Sequence, residues 1–354
     1  PYAVAYDVKD GLHSYNQFKV GAIKRQQRLA QLNTLTVAPQ AKGVYVLVIG
    51  ESQTRTHMSV YGYNRDTTPN FNRHKSDSHM LVFEKAFSNH VQTVPALTYA
   101  LTEKNQYNQV LMEDANSIIE LARSAGYDTY WISNQERYGA WDTPVAEIGS
   151  SANHQVWLNE EIGTKTKTKN YDGELLKHIP NIGTVNNGLI VFHVMGNHLL
   201  YKERYPDSYN KWEGDFVSQY DNAMLYNDSV VEEIYKAVSK NPNFQAMIFM
   251  SDHGESLENG LGHDPADYTP QMTQIPFILY VSSRFESERP NLYSMLESHK
   301  TQYWTNDLLY NMMITLLGIE GIPQTEQFLD ISSSTYDRNI NNLRTLHGTR
   351  GISN

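Results

Sequence analysis

The sequence predicts an α/β fold, a mostly parallel central sheet covered by helices on both faces, and three observations carry that expectation. Gly43-Val44-Tyr45-Val46-Leu47-Val48-Ile49 is a near-continuous apolar run, the pattern of a strand buried on both faces. Similar short runs recur down the chain. Between them lie segments whose apolar residues fall at helical spacing and stop at glycine. Strands alternating with helices specify a parallel sheet with crossover helices.

In chain order, residues 1–42 read as a polar, partly helical lead-in. They contain Tyr15-Asn16-Gln17-Phe18-Lys19-Val20 and a basic patch, Lys24-Arg25-Gln26-Gln27-Arg28. A linker, or a helix lying on the domain, accounts for them. After the first strand, further strands are expected at Leu81–Phe83, Asp128–Ser133, Leu189–Val194, Gln245–Met250 and Ile275–Val281. A helix is expected over Asn116–Ala125, where Ile118, Ile119, Leu121 and Ala122 are apolar and Gly126 is the stop. Asp221–Ser239 carries Ala223, Met224, Val230, Val231, Ile234 and Val238 as a second helix, and Thr305–Leu317, ended by Gly318, is a third. No internal repeat or low-complexity tract is present. The main domain is expected over 43–322, and the tail over 323–354, rich in Ser, Asn, Thr and Arg, is expected to be peripheral.

With 354 residues, 40% hydrophobic and 19% charged, the chain can bury a sizeable core. The net charge of −10 and the lack of a long Lys/Arg run argue against a nucleic-acid partner. The acidity is spread along the chain, as on a solubilising surface. Cysteine is absent, which excludes disulfides, thiolate zinc sites and a cysteine nucleophile in this sequence, and fits an oxidising compartment as well as a reducing one. No apolar run approaches the roughly 20 residues that span a bilayer. The sequence starts at Pro1 without a signal-like segment, so an excised or processed piece is expected, which a membrane anchor could have preceded.

The chemistry-bearing residues cluster at predicted strand ends. Asp252 and His253 follow the run ending at Met250, and Glu51 follows Ile49-Gly50. In open α/β sheets, ligands bind beyond the carboxyl ends of the strands. If both strands are central and parallel, Glu51, Asp252 and His253 share one rim and offer zinc three ligands with a fourth position open, as in a catalytic site. Singly, each has a bland reading: a chance turn, or a solvated or capping carboxylate. Thr93-Val94-Pro95-Ala96-Leu97 supplies a candidate nucleophile, with Thr93 as N-cap of a helix over Val94–Leu101 and Pro95 in its first turn. That helix would aim free N–H groups at an anionic phosphoryl oxygen, and a neighbouring cation would lower the pKa of the hydroxyl. Thr98 and Thr102 are the next candidates. His198 and His263 lie in polar loops and could bind phosphoryl oxygens, protonate a leaving group or hold a second metal. His193, inside a strand, reads as a core histidine, and His90 as a loop-shaping one. His13, His57, His74, His79, His154, His178, His299 and His347 have no such context.

With these residues in view, the chain resembles the soluble catalytic domain of the bacterial phosphoethanolamine transferases, inner-membrane enzymes of the sulfatase and alkaline phosphatase superfamily. The likeness runs from about Gly43 to Gly318. It is carried by Gly50-Glu51-Ser52, by Met58-Ser59-Val60-Tyr61-Gly62-Tyr63-Asn64-Arg65-Asp66-Thr67-Thr68-Pro69, and by Met195-Gly196-Asn197-His198 with Tyr201-Lys202-Glu203-Arg204-Tyr205-Pro206. Tyr220-Asp221-Asn222 follows, and Ser251-Asp252-His253-Gly254-Glu255-Ser256 with Glu258-Asn259-Gly260 and His263 completes it.

The resemblance implies an alkaline-phosphatase-like fold and zinc held by Glu51, Thr93, Asp252 and His253. His198 and His263 would hold the phosphate or a second zinc, and Glu255 would lie near the amine end of the substrate. It implies phosphatidylethanolamine as donor, a covalent phosphoethanolamine-threonine intermediate, and lipopolysaccharide (core sugar or lipid A) or another periplasmic glycan as acceptor. It also implies a periplasmic domain joined to the inner membrane by an N-terminal segment outside this sequence. Two features depart from the lipid A branch. That branch has several disulfides, and it carries its nucleophile five residues before the proline of its Val-Pro motif, where this chain has His90. Thr93, two residues before Pro95, fits the nucleophile-x-Pro arrangement of the wider superfamily, and the likeness lies closer to the core-modifying branch. A phosphatase or phosphodiesterase of the same superfamily, a glycerol-phosphate transferase, and a non-catalytic scaffold are the competing readings. Sulfatase activity needs an oxidisable Cys or Ser at the nucleophile, where this chain has threonine.

Overall fold

The computed structural model describes residues 18–32, 34–137, 143–159, 170–260, 262–323 and 325–353. Tyr15-Asn16-Gln17 and the rest of residues 1–17 of the expected lead-in lie outside them.

Seven strands form the central sheet: β1 Val44–Gly50, β2 Met80–Val82, β3 Asp128–Glu136, β4 His154–Asn159, β5 Gly188–His193, β6 Phe244–Ser251 and β7 Phe277–Val281. Their spatial order is β2-β7-β6-β1-β5-β3-β4. β1 pairs in parallel with β5 and β6, and β3 with β5 and β4. β7 is antiparallel to β6 and β2. The mostly parallel α/β expectation therefore holds.

The all-apolar composition of β1 follows from its place at the centre. Tyr45, Leu47 and Ile49 enter one core, while Val44, Val46 and Val48 enter the other. Side chains alternate across a strand, so a strand covered on both faces needs apolar residues at every position. Each fully buried Val, Leu or Ile contributes about 1.5–3 kcal/mol. The first core is closed by α2 Thr93–Ala100, α3 Ile118–Ser124 and α5 Leu309–Leu316, and the second by α4 Phe216–Val238.

Boundaries moved where caps outweighed periodicity. The helix expected from Asp221 starts at Phe216, because the Asp215 side chain accepts from Ser218 N at 3.0 Å. In α3, Ser117 and Glu120 form a reciprocal capping box. β4 lies outside the expected strands: its sequence His154-Gln155-Val156-Trp157-Leu158-Asn159 is that of a half-exposed edge strand whose apolar run is only three residues long.

Two terminal segments are more embedded than their composition implied. Residues 18–31 form a helix, α1, that lies on the domain. Its Arg25 is fully buried, 3.0 Å from Glu120 and 2.6 Å from the Phe18 carbonyl. The tail beyond Pro323, expected to be peripheral, inserts Leu329, Ile331, Leu343 and Ile352 into the first core. Its polar majority hid these few anchors.

Candidate active site

β1 and β6 run side by side in register, with Gly50 opposite Ser251. The residues that follow, Glu51 and Asp252, therefore leave the sheet together at one rim. The rim is tied at the backbone: Asp252 N donates to Gly50 O at 3.0 Å, and Ser52 N donates to Asp252 Oδ1 at 3.0 Å. Ser52 adopts φ +56° to do so, a conformation that is uncommon outside glycine and often marks functional sites.

Glu51, Asp252 and His253 are buried, and one ligand atom from each lies within 4.8 Å of the others. His253 Nε2 is 3.4 Å from Glu51 Oε1 and 3.3 Å from Asp252 Oδ2. Thr93 joins them: its Oγ1 is 3.2 Å from each Glu51 carboxylate oxygen and 3.3 Å from His253 Nε2. Thr93 is not the N-cap. Gln92 takes that place, without a side-chain cap, and Thr93 is the first helical residue. Its hydroxyl is thereby spared for the cluster. Thr98 and Thr102 instead turn back onto their own backbone, donating to Val94 O at 2.6 Å and Thr98 O at 2.7 Å. Neither hydroxyl reaches the cluster.

The electrostatics of the group call for a cation. His253 Nδ1 lies 2.8 Å from Gly254 O, and a carbonyl can only accept, so Nδ1 carries hydrogen. In the neutral ring, Nε2 then presents a lone pair to two carboxylates. Asp252 Oδ2 is buried and makes no hydrogen bond among the described residues. Burial, then the Glu51 charge, push Asp252 well above the usual carboxylate range. Burial opposes charge on His253 as well, yet Asp252 and Glu51 raise it to about 10. Glu51 is driven the other way: burial resists its ionisation, but the hydrogen bond and charge of His253 hold it well below the carboxylate range. Two buried carboxylates competing for one imidazole proton lack positive charge. A divalent cation would supply it, and two carboxylates, an imidazole Nε2 and a hydroxyl are a donor set that fits zinc.

Glu51 is further oriented by Ser52 Oγ at 2.9 Å, and the Asp252 carbonyl receives Ser88 Oγ at 2.6 Å and Asn306 Nδ2 at 2.7 Å. No motif announces these polar partners, which show only through their burial. Asp172 is similar: buried in a turn, it accepts Met195 N at 2.7 Å and Gly196 N at 2.9 Å. That bond pair shapes the loop leading to His198. Gly196, at φ +51°, lies where an added Cβ would come within 2.8 Å of Glu51 N and Glu51 O. Gly196→Ala is therefore expected to cost about 1–3 kcal/mol and to displace Glu51, which a thermal melt together with zinc content would register.

His198 is exposed at the rim, with Glu51, Arg204, His263 and His253 as its ionisable neighbours. The His263 ring centre is 4.5 Å from that of His253. Glu255 is buried and fully engaged, accepting Tyr201 OH at 2.7 Å and bonding His263 Nδ1 at 2.7 Å. One of its oxygens thus holds Tyr201 and the other holds His263. The Tyr220-Asp221-Asn222 stretch serves the scaffold. Asp221 binds His57 at 2.8 Å, Tyr63 at 2.9 Å and Arg65 at 2.8 Å, which accounts for the conspicuous Tyr63-Asn64-Arg65 segment. His193 is buried in β5, with burial lowering it to about 4, as befits a core histidine.

The sulfatase family profile matches residues 44–319. The chain is 32% identical over 272 residues to the phosphoethanolamine transferase EptC of Escherichia coli K12, covering 70% of this chain and 47% of that protein. It is 27% identical over 379 residues to the phosphoethanolamine transferase CptA of Salmonella typhimurium, covering 96% and 62% respectively. The chain thus spans about half the length of the first of these relatives. Among solved structures, the C-terminal periplasmic domain of Escherichia coli EptC in complex with zinc superposes with a TM-score of 0.79 at 26% identity, covering 90% of this chain and 94% of that one. No described helix is long and apolar enough to cross a membrane.

Proposed function

The chain belongs to the sulfatase family, and on that premise we propose that it is the catalytic domain of a zinc-dependent phosphoethanolamine transferase working in the periplasm. The donor would be phosphatidylethanolamine and the acceptor a hydroxyl or phosphate of lipopolysaccharide, in the core sugars or lipid A. An N-terminal membrane segment outside this sequence would hold the domain near both. The observation that carries the reading is the convergence of the Thr93 hydroxyl with Glu51 and His253 beside a buried, unpartnered Asp252 oxygen.

Glu51, Asp252, His253 and Thr93 would hold the zinc. When bound, that ion offsets the charge of the two carboxylates and stabilises negative charge on neighbouring oxygens. In the first displacement a Thr93 Oγ1–phosphorus bond forms and the bond from phosphorus to the diacylglycerol oxygen breaks. The two oxygens of Glu51 lie equally near Thr93 Oγ1 and orient its hydroxyl, whose proton leaves to solvent as the bond to phosphorus forms. Glu255 fixes the His263 ring by its Nδ1, which leaves Nε2 to bind a phosphoryl oxygen or to protonate the departing diacylglycerol oxygen. In the second displacement an acceptor oxygen attacks the same phosphorus and releases its proton, the bond from phosphorus to Thr93 Oγ1 breaks, and the Thr93 oxygen takes up a proton to regenerate the hydroxyl. His198, exposed at the rim, is suited to the incoming phosphate.

Incubation with phosphatidylethanolamine, acid quench and peptide mass spectrometry is expected to find one phosphoethanolamine adduct, on the peptide containing Thr93. An adduct elsewhere would move the nucleophile, and none under single-turnover conditions would remove the covalent step.

A further inference from the structure

The C-terminal segment carries a strained turn that grips the helix bearing Thr93. Arg344–Thr345 and Arg350–Gly351 pair as a short antiparallel hairpin. In its turn, Leu346, His347 and Gly348 take φ values of +49°, +50° and +88°. Two consecutive left-handed residues are what a type I′ turn demands, and Asn-Gly meets that demand with least strain. Thr349 N closes the turn on Leu346 O at 3.2 Å, so His347 and Gly348 hold its central positions, and Leu346 before them is left-handed as well. Such backbone persists only where the surroundings over-determine it.

The surroundings are the nucleophile segment. His347 Nε2 is 3.2 Å from the Pro95 carbonyl, which fixes Nε2 as the donor. Its ring stacks on Tyr99 of α2 at 3.9 Å between centres and 8° between planes, and lies 4.9 Å from the His90 ring. His347 N donates to Asn89 O at 3.2 Å, and Thr345 Oγ1 donates to Ser88 O at 2.9 Å. Ser88 in turn holds the Asp252 carbonyl. The turn is anchored from behind by Gly348 N on Gln106 Oε1 at 2.7 Å. One residue thus touches the first and second turns of α2 and the loop that enters it.

We infer that His347 is a positioning residue, a clasp that holds the first turn of α2 so that the Thr93 hydroxyl stays aligned with Glu51 and His253. The inference rests on the proposed role of Thr93. A misplacement near 1 Å at a reacting atom costs on the order of a hundredfold in rate, so losing the clasp is expected to act on kcat. In the full zinc-loaded chain, with fluorescent phosphatidylethanolamine in detergent micelles, His347→Ala is expected to lower kcat for diacylglycerol release by about ten- to a hundredfold. KM and zinc content should hold. His347→Gln, whose amide can reach the Pro95 carbonyl, is expected to recover most of the rate. An unchanged kcat in His347→Ala, an equal loss in both variants, or a loss that tracks zinc content overturns the clasp. Amide exchange across residues 93–102 provides a readout independent of turnover. Faster exchange in His347→Ala than in His347→Gln supports the clasp, and equal exchange overturns it. A wild-type chain that releases no diacylglycerol would sink the transferase reading, while the exchange comparison would still judge the clasp.

Discussion

Replacing Thr93 with alanine is expected to reduce phosphoethanolamine transfer on the order of 10³-fold or more, as removal of a covalent nucleophile does. That corresponds to about 4 kcal/mol of transition-state stabilisation. The fold should barely register the change. Thr93 is half-buried and caps nothing, so the expected loss of stability is under about 1 kcal/mol. Zinc should remain, because Glu51, Asp252 and His253 are untouched. Thr93→Ser keeps an oxygen at the same atom but loses the methyl that restricts its rotamer, so activity should fall between the two. Turnover, thermal midpoint and zinc content measured on the same preparations check all three expectations. Wild-type turnover in Thr93→Ala would end the proposed mechanism, since the Thr98 and Thr102 hydroxyls are both spent on backbone carbonyls of α2.

The part of the site that was legible in the sequence was the part dictated by parallel pairing. Apolar runs marked β1 and β6 as central strands, and a parallel pair in register brings the residues after each strand to one rim. Glu51 and Asp252 needed nothing more. Thr93 was legible as a residue type and as the start of a helix, but its position within the helix was not. Whether threonine caps or begins a helix turns on one backbone dihedral, and Gln92 absorbed it. The contacts of Glu255 were unreadable for another reason: its two oxygens bond Tyr201 and His263, from separate loops that no local pattern joins. His347 is the clearest case. It lies in a polar tail without periodicity, and its importance comes entirely from contacts some 250 positions away in sequence. Strand order, edge strands such as β4, and polar second-layer partners such as Asp172 share this dependence on tertiary context.

Asp252→Asn is expected to abolish zinc binding at concentrations that saturate the wild type and, in chelator, to leave a chain at least as stable as the wild type. The carboxylate that would hold the metal is a burden without it. Burial and the neighbouring Glu51 charge raise Asp252, and Asp252 with Glu51 raises His253 to about 10 against the pull of burial. Both groups therefore hold protons more tightly in the folded chain than in the unfolded one. The sign follows: stability falls with pH wherever the folded state binds the extra proton. For Asp252 that begins above its ordinary value of 3.8. The His253 contribution is fully present below 6.5 and is lost as pH rises through about 10. Glu51 acts in the opposite sense, but only below its ordinary 4.5. The metal-free wild type should thus melt at a lower temperature at pH 9 than at pH 6. Zinc should remove much of that slope while adding about 2.7 kcal/mol when free metal exceeds Kd a hundredfold. Asparagine keeps an oxygen for Ser52 N and His253 N, and its amide can donate to Glu51 where the bare Oδ2 now stands. The variant should accordingly show a shallower slope in chelator and no upward shift with zinc. An equal zinc-induced shift in variant and wild type would show that the cation, if one binds, is held without Asp252, and the rim geometry would then need another purpose.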